Sequence, residues 1–190
     1  MVDAPVGCRE PLGRGFHHGV GALSERALLL EEGNRVDNFE SVVIEYLRAD
    51  RSLFINTQCC IQLNPGANPD TSVPHWYCDA VAVSIKLQAV YLCEITYAHP
   101  PTSLLRRLKG WSAQWQPLRL ALERDSGIPA AWPLTPWLFI PQGLEARVKA
   151  FLGTLPKGPM PTPLVTHLEE VLPWRYRSWD RGVTTGKPVL

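Results

Sequence analysis

Residues 79–96 read Asp-Ala-Val-Ala-Val-Ser-Ile-Lys-Leu-Gln-Ala-Val-Tyr-Leu-Cys-Glu-Ile-Thr. Two runs with strand character flank a short polar break, and each carries one carboxylate among apolar neighbours. Side chains alternate between the faces of a strand, so Tyr77, Asp79, Val81 and Val83 are expected on one face of the first run. Val90, Leu92, Glu94 and Thr96 are expected on one face of the second. A hairpin turning at Lys86-Leu87 pairs residue i with residue 173 − i, which sets Asp79 directly opposite Glu94. Side chains opposed in this way stand about 4.5–5.5 Å apart at Cβ. Two like charges at that distance on an apolar face raise one pKa or require a cation between them. A divalent metal is the usual reason for a fold to keep such a pair.

Upstream of the hairpin, the stripe Val36, Phe39, Val43, Ile44 and Leu47 predicts a helix over 36–49. At about 100° per residue Glu40 falls inside that stripe and Glu45 opposite it. Residues 53–63 read as a strand, closed by Asn64-Pro65-Gly66. Downstream, Pro100-Pro101-Thr102 ends the hairpin and starts a helix over 103–124, with Pro117 as a possible kink. A short apolar run at 136–140 predicts a buried strand, and 144–152 a short helix. A linker is expected at 159–163 and a last helix at 164–172. The glycine- and proline-rich residues 1–22 are expected to form a flexible arm, ahead of an α/β core over 23–158. Residues 159–190 then hold the last helix and a tail that interleaves Trp174, Tyr176 and Trp179 with Arg175, Arg177 and Arg181. Three consecutive antiparallel strands, a helical crossover and a further strand imply a mixed sheet with helices on its faces.

This order of elements, with an Asp early in the second strand and a Glu in the third, resembles the PD-(D/E)XK nuclease superfamily, the restriction endonuclease-like fold. The resemblance covers about residues 36–140 and implies an α/β domain built on a mixed four-stranded sheet. Asp79 matches the motif Asp, and Glu94-Ile95-Thr96 stands where the family has Glu-x-Lys. Glu40 matches a glutamate that many members add from the first helix. The resemblance therefore implies that Asp79 and Glu94 hold Mg²⁺ or Mn²⁺, with the Ile95 carbonyl as a third ligand and Glu40 helping through water. The reaction implied is attack of water on a phosphodiester of DNA or RNA.

Two positions depart from the pattern. Cys78 precedes Asp79 where the motif has proline, and Thr96 replaces the lysine. Threonine offers a hydroxyl without a charge. Lys86 does not replace it, being about 23 Å away along an extended run at roughly 3.3 Å per residue. Arg106 or Lys109, on the following helix, can approach the site instead. Arg106, Arg107 and Lys109 are the expected phosphate contacts.

Composition bounds the reading. With 190 residues, 45% hydrophobic and 19% charged, the chain is one domain of ordinary globular make-up. No apolar run approaches the roughly 20 residues of a membrane helix, and the start lacks the layout of a signal peptide. The cytoplasm is the expected address. Five cysteines without a C-x-x-C pair argue against a zinc site. Net charge is +1, but residues 1–100 sum to −5 and residues 101–190 to +6. A carboxylate-bearing half beside a basic half suits a metal site acting on a polyanion. Nucleic acid is thus the expected partner, no membrane is, and a homodimer is compatible.

Other readings use the same residues differently. Asp79 also fits a strand-end acid satisfied by backbone donors, Glu40 an ordinary salt bridge, and the bases of 103–124 a solvated helix face. A nuclease fold that binds nucleic acid or a protein without cutting, or an unrelated α/β protein, would follow.

Overall fold

The computed structural model describes residues 38–65 and 74–173. The expected arm over 1–22 and the Trp/Tyr/Arg tail lie outside these residues. Within them, β-branched, aromatic and small apolar residues form five strands: Leu53–Gln62 (β1), His75–Ser84 (β2), Ala89–Ile95 (β3), Leu134–Ile140 (β4) and Leu164–His167 (β5). They make one open sheet in the order β1-β2-β3-β4-β5. The first two pairings are antiparallel and the last two parallel, so the sheet is mixed.

The hairpin has the expected register. Ala80 faces Cys93 and Ser84 faces Ala89. The turn between them is closed by the Leu87 N–H donating to Ser84 Oγ at 3.1 Å, with Gln88 at φ +50°. Among the described residues four helices cover the sheet: Asn38–Arg48 (α1), Thr102–Ala113 (α2), Trp115–Ser126 (α3) and Glu145–Thr154 (α4). On one face α1 packs Val43, Ile44, Tyr46 and Leu47 against Ala80, Ala82, Tyr91, Cys93, Trp137 and Phe139. On the other, α2, α3 and α4 bring Leu104, Leu108, Trp111, Leu118 and Val148 onto Val81, Val90, Leu92, Leu138 and Ile140. All seven residues of β3 are buried, as in strands covered on both faces. Among the described residues no helix is long and apolar enough to cross a membrane.

Four expectations are corrected. The sheet has five strands rather than four, because residues 164–172, expected as a helix, form β5 and a 3₁₀ turn at Leu168–Glu170. β4 is buried throughout its second half and needs a partner for its outer backbone row, which β5 supplies. The single helix expected over 103–124 is two helices that meet at Gln114, whose φ is −121°. The kink expected from Pro117 is a full break: in one continuous helix its ring would clash with the Ala113 carbonyl and leave it without a donor, whereas in the first turn of α3 its missing N–H costs no hydrogen bond.

The last correction concerns faces. Trp76 and Cys78, not Tyr77, share the face of Val81 and Val83, while Ala80 and Ala82 lie under α1. Tyr77 is exposed. β2 therefore changes face at Asp79. β1 does the same, with Ile55 on the α1 side and Cys59 and Ile61 on the other. Thr57 pairs with Ala80 and Cys59 with Cys78, so Gln58 stands level with Asp79. Gln58 has φ +52°, a conformation that L-residues enter at a cost and that clusters at functional sites.

Candidate functional site

The ladder between β2 and β3 ends at Ala80 and Cys93. Beyond it β2 continues on β1, and β3 continues on β4 through Ile95 and Phe139. The strands part at the level of Asp79 and Glu94. Asp79 Oδ2 accepts the next backbone N–H, that of Ile95, at 2.6 Å, so its carboxylate is turned along the sheet toward β3. Asp79 thus accepts a backbone donor, as the strand-end reading expects.

Glu94 points into the core. It follows Val90 and Leu92 onto the face covered by α2 and is 1% exposed. From α2, Arg107 Nε comes to 2.6 Å of Glu94 Oε2, with the arginine side chain 25% exposed. The contact is an ion pair seen off-axis: neither Glu94 oxygen receives a hydrogen bond and Arg107 Nε donates none. Burial pushes the Glu94 carboxyl well above its ordinary pKa, the Asp79 charge pushes it further, and Arg107 opposes both. The buried acid is thus poorly satisfied, with the Asp79 charge acting against it and the Arg107 guanidinium for it.

The remaining expected residues fall around this pair. Thr96 is half-buried, and its Oγ1 accepts the Ala98 N–H at 3.2 Å, a local turn contact. Arg106 and Lys109 are exposed. Glu40 is half-buried in the first turn of α1, on the helix that covers the opposite face of the sheet. That turn lies at the correct end, since Phe39 stacks on Tyr97 with ring centroids 4.7 Å apart. Yet the charges that act on Glu94 are those of Asp79 and Arg107. Glu45 is exposed and pairs with Arg48 at 2.9 Å, as its helical phase implies.

Arg107 was legible as a helix base but not as the inward one. With about 100° per residue, it lies roughly 60° from Leu104, beside the buried stripe Leu104, Leu108 and Trp111. Arg106 and Lys109 lie well outside it. The phase of the stripe was the signal that singles Arg107 out. Gln58 gave none, because a positive φ at a non-glycine residue leaves no mark in sequence.

Among the described residues no three His, Cys, Asp or Glu side chains come together as a metal-binding group. The two carboxylates still fit Mg²⁺, which commonly uses one or two carboxylates, completes its shell with water and substrate phosphate, and matches an unsatisfied buried oxyanion. A third protein ligand would be a backbone carbonyl, for which the resemblance names Ile95. Comparison with protein families, curated proteins and solved structures finds no match to the chain.

Proposed function

We propose that the protein is a Mg²⁺- or Mn²⁺-dependent nuclease of the restriction endonuclease-like fold, acting on phosphodiesters of nucleic acid. One observation carries the reading. The carboxylate of Glu94 is buried beside Asp79, where two strands part, with the Arg107 guanidinium at 2.6 Å but off the hydrogen-bond axis. Such a pair is costly to the fold and has a use in holding a divalent ion.

Asp79 and Glu94 would hold the metal, with the Ile95 carbonyl. When bound, it would act as a Lewis acid on the phosphate and lower the pKa of water. The Ile95 N–H fixes the orientation of Asp79. Arg107 supplies near the pair the positive charge that Thr96 lacks, and its partial exposure would let the guanidinium meet a phosphate. Arg106 and Lys109, exposed on the same helix, would contact flanking phosphates. Glu40 would contribute through water from the near end of α1.

The test is cleavage of single- and double-stranded DNA and RNA with Mg²⁺ or Mn²⁺, alongside calorimetric titration of Mn²⁺ into the protein. Metal-dependent cleavage lost in Asp79→Asn supports the proposal. Absence of both cleavage and metal binding overturns it. The proximity of Arg107 to Glu94 favours a second reading, in which the guanidinium takes the place of the metal and the domain binds nucleic acid without cutting. Salt-dependent binding with no cleavage would select that reading.

A further inference from the structure

Cys59 and Cys78 face each other across the β1–β2 pair, and both pack on the side of the sheet covered by α2 and α3. Opposed residues of antiparallel strands have Cα atoms about 4.5 or 5.5 Å apart, inside the roughly 4.4–6.8 Å span of a disulfide. Both are free thiols here, and they differ in access. Cys78 is buried, whereas Cys59 is half-buried and lines a cavity of about 540 Å³ together with Ile61, Val81, Leu122 and Trp132. Cys59 Sγ lies 3.3 Å from the Asn56 carbonyl. The Cys78 thiol beside it lowers the Cys59 pKa in spite of partial burial.

The other described thiols do not offer this arrangement. Cys60, the next residue along β1, is opposite Tyr77. Cys93 is fully buried on the face covered by α1. The nuclease reading uses neither Cys59 nor Cys78.

We propose that Cys59 and Cys78 are an oxidisable dithiol that closes to a cross-strand disulfide when a hydroperoxide enters through the cavity. The Cys59 thiolate attacks one peroxide oxygen, the O–O bond breaks, and hydroxide leaves, giving a sulfenic acid. Cys78 sulfur then attacks Cys59 sulfur, the S–O bond breaks, and water departs with the Cys78 proton. In sum, two thiols and one H₂O₂ give one disulfide and two waters; the sulfurs lose two electrons and the peroxide gains them. The bond forms one residue from Asp79 and one from Gln58, stapling the two strands where both change face. The proposal stands on the register and the cavity, independently of the nuclease reading.

The experiment treats fully reduced protein with H₂O₂, blocks the remaining thiols and maps the digest by mass spectrometry. Of the five cysteines, two should be lost from the thiol titre, with one cross-linked peptide pair joining Cys59 to Cys78, reversed by dithiothreitol. Cys59→Ser should abolish the cross-link, and Cys60→Ser should leave it as in wild type. An unchanged titre, a cross-link to Cys60, Cys93 or Cys8, or accumulation of sulfinic acid at Cys59 without a cross-link would each overturn the proposal. Should a variant fail to fold, the wild-type map decides alone.

Discussion

The carboxylate of Glu94 is kept from water and lacks hydrogen-bond donors, and this has a measurable sign. Its pKa is raised in the folded protein by burial first and Asp79 second, whereas in the unfolded chain it is near the usual 4.3 or so. A raised acid contributes fully to stability below its unfolded pKa and loses that contribution as pH rises toward the folded value. Glu94→Gln should therefore match wild type in thermal stability near pH 4 and exceed it at pH 7–8; an unchanged difference across that range would refute the assignment. Arg107→Ala acts in reverse. It strips the buried carboxylate of its counter-charge, and the cost should reach about 3 kcal/mol at pH 8 in denaturant titrations and shrink toward pH 5. For activity, Asp79→Asn keeps an acceptor for the Ile95 N–H and should abolish Mg²⁺-dependent cleavage with the melting temperature retained. Asp79→Ala should in addition cost about 1–3 kcal/mol by leaving that N–H unpaired. Thr96→Lys tests what Arg107 does: if the guanidinium already serves the phosphate, an added ammonium leaves cleavage unchanged or lowers it.

Among the elements, the junction between α2 and α3 is fixed by side chains that are far apart in sequence. Trp76 of β2 donates from Nε1 to Gln114 Oε1 at 2.8 Å, and its ring lies where a Cβ on Gly110 would come within 2.0 Å of it. Gly110→Ala should therefore destabilise the protein by about 1–3 kcal/mol in spite of the better helix propensity of alanine, as read by urea unfolding. This contact also explains a limit of the sequence. The hairpin register from Ala80–Cys93 to Ser84–Ala89 was legible because alternation and a polar turn specify it locally, but the parting of the strands before Asp79 and Glu94 pair was not. The helix break at Gln114 was legible only in part: Pro117, which cannot donate to the Ala113 carbonyl, marks it, whereas the Trp76 contact that fixes the junction is tertiary and leaves no mark in sequence. Residues 164–172 satisfy two periods at once: Leu164, Leu168, Val171 and Leu172 are spaced as a helix, while Val165 and Thr166 suit a strand. The open edge of β4 decides between them, with Trp137 Nε1 donating to Thr166 Oγ1 at 2.9 Å. The change of face at Gln58 and Asp79 was hidden for the same reason, being a backbone event without a composition of its own.

For the whole molecule, burial is concentrated in the two parallel strands that both helix layers cover. Amide hydrogen exchange should be slowest in β3 and β4 and faster along the outer strand β1, where Asn56, Thr57 and Gln58 are exposed. Uniform protection across all five strands would contradict this ordering. The order of assembly has its own consequence. The β2–β3 hairpin is local, and if it forms before the rest of the sheet, Glu94 is then still in water. The segment that links β3 to β4 then brings the apolar cover and the Arg107 guanidinium on the same helix. Dehydration of the acid and arrival of its counter-charge would then be a single event, and a late one. In stopped-flow chevrons, acidity should change the unfolding rate and leave the refolding rate nearly flat.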